Sequence, residues 1–218
     1  MIITSVEPTP RRRGRVDVLV DGEPAFEIAR EAARTHGLRP GRAVEQPEID
    51  ALLAADARKS ALDTAVAMLA RRPHSEREVR RRLARQKCQP AVADETVAKL
   101  KGARLLDDAE YARAWAESRD RTSPRGRRLL VRELRANGVE LAVAQEATAL
   151  LSEEDAAYRV ASRAVRSLPD LEYRAFRDRL GARLQRRGFG WDVCVATVDR
   201  CWRERSEEIA DRPAAESV

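Results

Sequence analysis

The chain has 218 residues and a formal net charge of +6 at pH 7, with 36% charged but only 4% aromatic residues. This length allows one large domain or several small ones, and the abundance of Arg, Glu, Ala and Leu favours helices. It contains no apolar run of roughly 18 residues, so we expect no membrane span, and its first residues lack the apolar segment of a secretory signal. The chain has only three cysteines, an odd and sparse number that predicts a cytoplasmic protein. These cysteines and the two histidines show no metal-ligand spacing, so we expect no metal and no cofactor.

Residues 1–57 are predicted to form an N-terminal extension made of a β-hairpin and a helix. The alternating valines and the turn signal are Val16, Val18, Val20, Asp21 and Gly22. Because an isolated hairpin is only marginally stable, we expect it to dock on the first helical repeat. The basic stretch PTPRRRGR just before it is interpreted either as a plain loop or as a mobile loop that adds phosphate contact.

Start and stop signals divide residues 58–205 into nine helices. Ser75 with Glu78 has the spacing of a capping box, and Gly138 and Gly188 are typical residues just after a helix end. Asp107 and Ser152 are predicted caps of two further helices. The predicted helices span 58–71, 75–87, 91–102, 107–121, 125–137, 140–151, 153–167, 171–187 and 191–205.

An internal repeat organises these helices in threes. Apolar positions agree in register when the chain is aligned on Leu83, Leu134 and Leu184, which recur about every 50 residues. Three helices alone bury little surface, so neighbouring units are expected to stack. The predicted fold is therefore all-α, an elongated array of three tandem three-helix repeats that follows the small hairpin and helix. The predicted boundaries are 58–106, 107–152 and 153–205, with a disordered tail at 206–218.

Positive charge recurs in the middle helix of each repeat. The windows 71–87, 121–137 and 174–187 hold 20 basic and 4 acidic residues, whereas the rest of the chain is net acidic. A solvated helix face is the alternative for any one of them, but three matching positions favour an anionic partner such as DNA, RNA or an acidic protein. Few aromatic side chains lie among the arginines, so the pattern favours phosphate or acidic-surface contact over base recognition or stacking.

The stretch LLDDAEYARAWAESRDRTSPRGRRLLVRELRANGV, residues 105–139, resembles the RecX regulatory protein family. The family pattern has two acids before an aromatic residue, then A-x-x-aromatic, P-x-G, L-x-x-E-L and a final G-V. The residues that fit it are Asp107, Asp108, Tyr111, Ala112, Trp115, Pro124, Gly126, Leu130, Glu133, Leu134, Gly138 and Val139. Asn137 stands where the family usually has lysine. The resemblance extends over about residues 58–205, including LARRPHSEREVRRRLARQ.

This resemblance implies a regulatory protein that is not an enzyme. RecX proteins bind the RecA–DNA filament and inhibit or modulate its ATPase and strand exchange, which tempers recombination, DNA repair and the SOS response. The implied partners are the RecA filament and, non-specifically, the DNA phosphate backbone, contacted by a monomer without membrane association. The candidate contact residues are Arg77, Arg80, Arg81, Arg85, Arg125, Arg127, Arg128, Arg132, Arg135, Arg179, Arg183, Arg186 and Arg187.

Two other functions fit the same pattern. A basic middle helix in a three-helix unit also describes helix-turn-helix transcription regulators, and a helical array also describes an adaptor for an acidic protein. An enzyme is disfavoured because no acid–base pair or nucleophile stands out. Whether the arginines meet DNA or an acidic RecA surface, and whether inhibition works by capping or by groove binding, stays open at this stage. Tyr111 and Trp115 are expected to pack in the second repeat's core.

Overall fold

A computed structural model describes residues 1–10 and 12–210 of the protein, and contains three strands and ten helices within them. The chain divides into two compact units. Unit 1 comprises Met1–Arg71 and Val79–Leu105, and unit 2 comprises Arg72–Glu78 and the described residues from Leu106 onward. In the part of the chain described, no helix combines the length and the apolar character that crossing a membrane requires.

An antiparallel sheet opens unit 1, with the order β1 (Ile3–Pro8), β2 (Arg15–Val20) and β3 (Glu23–Ala29). The predicted hairpin is confirmed as β2 and β3. Its turn requires positive φ at Asp21 (51°) and Gly22 (92°), which is why this residue pair suits it. The prediction missed β1, whose Ile3 is fully buried against the valines of β2.

The sheet packs on helix α2 (Gln46–Leu69), which follows the short helix α1 (Arg30–Thr35). Asp56 of α2 is buried, and it accepts hydrogen bonds from the Ala29 backbone N–H at 3.2 Å and from Arg15 at 2.8 Å. A buried carboxylate needs such partners, so Asp56 ties the sheet to the helix. The residues of α2 that the sheet contacts include Ile49, Leu52 and Asp56. All three precede residue 58, where the first repeat was predicted to begin, so the sheet packs on the part of α2 that lies before that predicted repeat.

On both sides of Arg11, the loop between β1 and β2 contacts the sheet. The Thr9 backbone N–H donates to the Arg15 carbonyl at 3.1 Å, and Arg12 forms an ion pair with Glu27 of β3 at 3.1 Å. Arg11, in the middle of this basic stretch, lies outside the described residues.

The remaining helices agree closely with the nine predicted ones. Unit 1 also contains α4 (Pro90–Gly102), and α3 (Glu76–Arg85) begins in unit 2 and ends in unit 1. The helices that lie wholly in unit 2 are α5 (Asp108–Thr122), α6 (Arg127–Ala136), α7 (Leu141–Ala149), α8 (Glu153–Val165), α9 (Tyr173–Arg186) and α10 (Trp191–Ala210). Two bounds differ from the prediction by more than two residues: α2 begins 12 residues earlier, and α10 runs through part of the predicted disordered tail. The rest of that tail, 211–218, lies outside the described residues.

The predicted caps explain these helix limits. Ser75 Oγ accepts from the Glu78 backbone N–H at 3.2 Å, and the Glu78 carboxylate accepts from the Ser75 backbone N–H at 3.2 Å, which completes the capping box. Asp107 caps α5 through two backbone N–H groups, and Ser152 caps α8 through the Asp155 N–H. Gly138 and Gly188 follow α6 and α9 with φ of 91° and 83°.

Candidate partner-binding surface

Unit 2 contains two junctions at which the end of one middle helix meets the start of the preceding one. In the first junction, residues 75–77, which include the cap and the first residues of α3, contact residues 136–138 at the end of α6. Ser75 Oγ donates to the Asn137 carbonyl at 2.7 Å, and an added Cβ on Gly138 would lie 2.6 Å from Arg77 Cβ. The junction therefore depends on a small residue at each of its contact points.

The second junction repeats this geometry one unit later, between residues 124–126 before α6 and 187–190 after α9. The Gly126 backbone N–H donates to the Arg187 carbonyl at 2.9 Å. An added Cβ on Gly126 would lie 2.1 Å from the Gly188 carbonyl oxygen, which is too close for any side chain. In the repeat alignment Gly126 corresponds to Ser75, and Arg187 corresponds to Asn137.

A carboxylate from the next repeat completes each junction. The Glu76 backbone N–H donates to Asp108 at 2.8 Å, and the Arg127 backbone N–H donates to Glu153 at 3.2 Å. These donors are among the first N–H groups of α3 and α6, which lack partners inside the helix. Because negative charge is also favourable at a helix N-terminus, each acid fixes the start of a basic helix to the following repeat.

Glu133 of α6 organises the cations beside the second junction. It pairs with Arg125, with Arg119 at 3.3 Å, and accepts from the Trp115 indole N–H at 3.2 Å. Partial burial, together with the charges of Arg119 and Arg187, lowers the pKa of Arg125 from its ordinary value. One carboxylate thus pairs with two guanidinium groups, so the cluster of Glu133, Arg119 and Arg125 keeps a net positive charge.

The predicted contact arginines fall into two groups. Four of them have partners within the chain: Arg80 pairs with Asp94, Arg125 with Glu133, Arg77 donates to the Ala136 carbonyl, and Arg187 donates to the Pro124 carbonyl. The exposed ones outside this group are Arg81, Arg85, Arg127, Arg128, Arg132, Arg135, Arg179, Arg183 and Arg186. Arg81 and Arg85 belong to unit 1 with Arg80, and the other exposed ones belong to unit 2.

Three of these exposed arginines share a cleft in unit 2 with a volume of about 450 Å³. It lies between α6 and the turn from α9 to α10, over the second junction. Its lining residues are Arg128, Leu129, Arg132, Gln185, Arg186, Gly188, Phe189 and Trp191. The structure thus brings together arginines that lie more than 50 residues apart in the chain.

Trp191 was not predicted as part of this surface. It is the first residue of α10 and comes three residues before the buried Cys194, so its spacing is that of a core residue. Its side chain is instead 68% exposed, beside the arginines of the cleft. The sequence carried no signal for this placement, which depends on the packing of the α9–α10 turn against α6.

The core predictions for aromatic side chains are confirmed. Tyr111 is 2% exposed, and its ring centroid lies 5.9 Å from that of the half-buried Trp115. Burial raises the pKa of Tyr111 to about 12, with a further contribution from Glu78. Cys194 and Cys201 are buried in the core of the last repeat, as their spacing indicates.

The three helical repeats match known family models in chain order. Family models described as the first, second and third three-helix domains of RecX match residues 61–100, 107–147 and 152–197. These matches together span more than half of the chain. The chain belongs to the RecX family. Each match contains one of the basic middle helices, α3, α6 or α9.

Curated RecX relatives cover nearly the whole chain. The Regulatory protein RecX of Bacillus velezensis is 27% identical over 209 residues, which cover 94% of this chain and 80% of that protein. The protein of the same name from Bacillus subtilis is 26% identical over 209 residues, which cover 94% of this chain and 79% of its own length. The sequence similarity therefore extends beyond the residues that the three family models match.

Solved RecX structures share the fold. A crystal structure of regulatory protein RecX has a TM-score of 0.62 at 22% identity and covers 91% of this chain and 98% of its own. RecX from Lactobacillus salivarius gives a TM-score of 0.62 at 19% identity, over 67% of this chain and 97% of its own. The arrangement of a mostly helical chain in three three-helix domains is thus a family property.

Proposed function

We propose that this protein binds the RecA–DNA filament and inhibits its ATPase and strand exchange through the exposed arginines of the middle helices. It thereby tempers recombination, DNA repair and the SOS response in the cytoplasm, as a monomer without a cofactor. Family membership over three consecutive three-helix domains is the observation that supports this proposal. The repeat boundaries proposed for these domains are 58–106, 107–152 and 153–205, the first of which begins inside α2.

The chemistry of the basic surface agrees with a filament as partner. Arg128 and Arg132 lie one helical turn apart on α6 and are exposed, and Arg186 lines the same cleft. Guanidinium groups bind phosphates and carboxylates through paired hydrogen bonds, so this surface suits either the DNA or acidic patches of the recombinase. Contacts to successive protomers would add through effective concentration.

A titration of the protein into a RecA ATPase assay on single-stranded DNA tests the proposal. The wild-type protein is expected to reduce ATP hydrolysis in a saturable way. Reversing two charges in the variant Arg128→Glu/Arg132→Glu is expected to raise the half-inhibitory concentration about tenfold, because an anionic partner is then repelled. Absence of inhibition by the wild-type protein would refute the proposal.

Two exposed arginines outside the basic windows provide a matched control. The variant Arg113→Glu/Arg163→Glu changes the net charge by the same amount, but Arg113 lies in α5 and Arg163 in α8, and neither lines the cleft. We expect this variant to inhibit like the wild-type protein. Equal losses in both variants would mean that net charge, and not the basic surface of α6, determines inhibition.

The helix-turn-helix alternative makes a different prediction on naked duplex DNA. A transcription regulator protects one short sequence in a footprinting experiment, because its middle helix reads base edges. Under our proposal, binding to duplex DNA is sensitive to salt and protects no particular sequence. An adaptor for an unrelated acidic protein would protect no sequence of the duplex DNA and would not inhibit the RecA ATPase.

A further inference from the structure

Trp191 differs from the other two tryptophans in having its ring available to a ligand. Trp115 donates its indole N–H to Glu133, and Trp202 packs on Phe176 with ring centroids 5.2 Å apart. Trp191 is 68% exposed at the rim of the cleft that also holds Arg128, Arg132 and Arg186. Single exposed apolar side chains are common on protein surfaces. The informative feature of Trp191 is that its ring lies in one cleft with three cations.

The lining of the cleft has one charge sign and an apolar floor. Its charged members are the three arginines, and the residues that line it include no acid. Phe189 is 3% exposed, and Leu129 is partly buried. Such a surface suits a ligand that carries both anionic groups and flat apolar faces.

The cleft is also held in place by the second junction. An added Cβ on Gly188 would lie 2.5 Å from Leu129 Cβ, and the Gly126 N–H donates to the Arg187 carbonyl at 2.9 Å. The backbones of α6 and of the α9–α10 turn therefore touch directly under the cleft. A site on such support presents its arginines and its indole ring without the loss of entropy that a mobile loop would suffer on binding.

From these observations, we infer that the Trp191 cleft is a binding site for single-stranded nucleic acid. One base stacks on the indole ring of Trp191, while neighbouring phosphates bind Arg128, Arg132 and Arg186. Aromatic rings bind bases of any sequence in this way, and arginines follow the backbone. Duplex DNA offers phosphates but keeps its bases stacked inside, and an acidic protein segment offers carboxylates but no base ring.

This inference deepens the proposed function, since it gives the basic surface of unit 2 a strand of DNA to hold. It also extends what the sequence pattern indicated, because few aromatic residues lie among the arginines along the chain. The tertiary structure supplies the missing aromatic ring. Binding to free oligonucleotides can be measured without RecA, so the inference and the proposed function can fail separately.

The test compares two oligonucleotides of equal length, oligo(dT) and an abasic strand that keeps the phosphates but has no bases. Fluorescence anisotropy with the full-length protein measures both affinities. Trp191→Ala is expected to weaken binding to oligo(dT) about tenfold, the usual effect of losing one stacked base. It is expected to leave binding to the abasic strand unchanged, whereas Trp191→Phe keeps most of the affinity for oligo(dT).

Arginine variants and a spectroscopic readout separate stacking from charge. Arg132→Ala is expected to weaken binding to both strands and to reduce the salt dependence, while the exposed Arg113→Ala changes neither. Oligo(dT) is expected to quench the tryptophan fluorescence of the wild-type protein but not that of Trp191→Phe. Circular dichroism and thermal unfolding confirm that the variants are folded.

Two outcomes would overturn the inference. The first is an unchanged affinity of Trp191→Ala for oligo(dT), or an equal loss on the abasic strand, since stacking is then absent. The second is that a glutamate-rich peptide displaces oligo(dT) and that Trp191→Ala weakens the binding of this peptide more than the binding of oligo(dT). This result would identify an acidic protein segment as the occupant. If either occurs while Arg128→Glu/Arg132→Glu still loses ATPase inhibition, the proposed function stands without the stacking site.

Discussion

The two junctions of unit 2 solve one geometric problem with different chemistry. At equivalent positions of the repeat, the first junction uses a serine hydroxyl and the second uses a glycine backbone N–H to reach the carbonyl that follows the next middle helix. Ser75 has two roles, because its Oγ donates to the Asn137 carbonyl and also accepts from the Glu78 backbone N–H as the cap of α3. Gly126 makes the contact without a side chain, so the two backbones approach more closely.

This difference separates two kinds of stability. The second junction depends on shape, since there is no room for a Cβ at position 126. The first depends on polar groups, some of which titrate: Glu78 binds Arg72 and the Ser75 N–H, and Tyr111 lies within the electrostatic influence of Glu78. Steric changes should therefore damage the second junction most, and changes of pH should affect the first.

The largest effect is expected for Gly126→Ala. Its Cβ would lie 2.1 Å from the Gly188 carbonyl oxygen, so the backbone must move, and we expect a loss of about 2–4 kcal/mol in unfolding free energy. Urea unfolding measures the loss. The control is Gly181→Ala inside α9, where a Cβ meets nothing within 4 Å and the change should stabilise by about 0.5–1 kcal/mol. Similar stabilities of the two variants would contradict the steric basis of the junction.

A smaller loss is expected for Ser75→Ala, which removes the polar contact of the first junction. The variant loses both the helix cap and the bond to the Asn137 carbonyl, so we expect a loss of about 1–2 kcal/mol. Ser152→Ala is the matched control, because Ser152 caps α8 through the Asp155 N–H and its loss should be about 1 kcal/mol or less. If Ser152→Ala destabilises the protein as much as Ser75→Ala, the junction adds nothing beyond the cap.

Acid should weaken the first junction through Glu78. Burial alone would raise the pKa of this carboxyl, but hydrogen bonds from Arg72 and the Ser75 N–H outweigh it and lower the pKa below 4.5. The resulting stability is complete above the unfolded pKa and is lost as the pH falls through the folded one. Glu78→Gln should therefore be less stable at pH 7 and show a flatter decline below about pH 4.5. Parallel acid unfolding curves would argue against this role.

The smallest effect near neutral pH is expected for Tyr111→Phe. The buried hydroxyl finds no hydrogen-bond partner among the described residues, so its removal should change stability little at pH 7. Burial raises the pKa of Tyr111 from 10.0 to about 12, so stability is complete below pH 10 and declines as the pH rises through 12. The unfolding temperature should therefore fall less steeply between pH 9 and about 12 in the variant than in the wild-type protein. An unchanged slope would assign the alkaline decline to other groups.

Much of the helical fold was predictable because its signals are local. The Ser75–Glu78 capping box, the Asp107 and Ser152 caps and the glycines after α6 and α9 act within a few residues of each helix end. The strand β1 was missed because its own apolar pattern is weak, with Ile3 as its one buried residue. The early start of α2 was missed for a related reason, since the sheet that packs on Asp56 supports that part of the helix.

The sequence by itself determined the helices, their grouping in threes and the positive charge of each middle helix, because capping, apolar periodicity and composition belong to short stretches of chain. Only the tertiary structure decided which arginines are exposed and which are bound. Arg125 is bound because Glu133 lies beside it, and Trp191 is exposed because the α9–α10 turn packs on α6 through Gly126 and Gly188. The contact between Gly126 and Gly188 joins residues far apart in the chain. Local sequence signals therefore give the charge of each helix, and packing decides which of its side chains the surface presents.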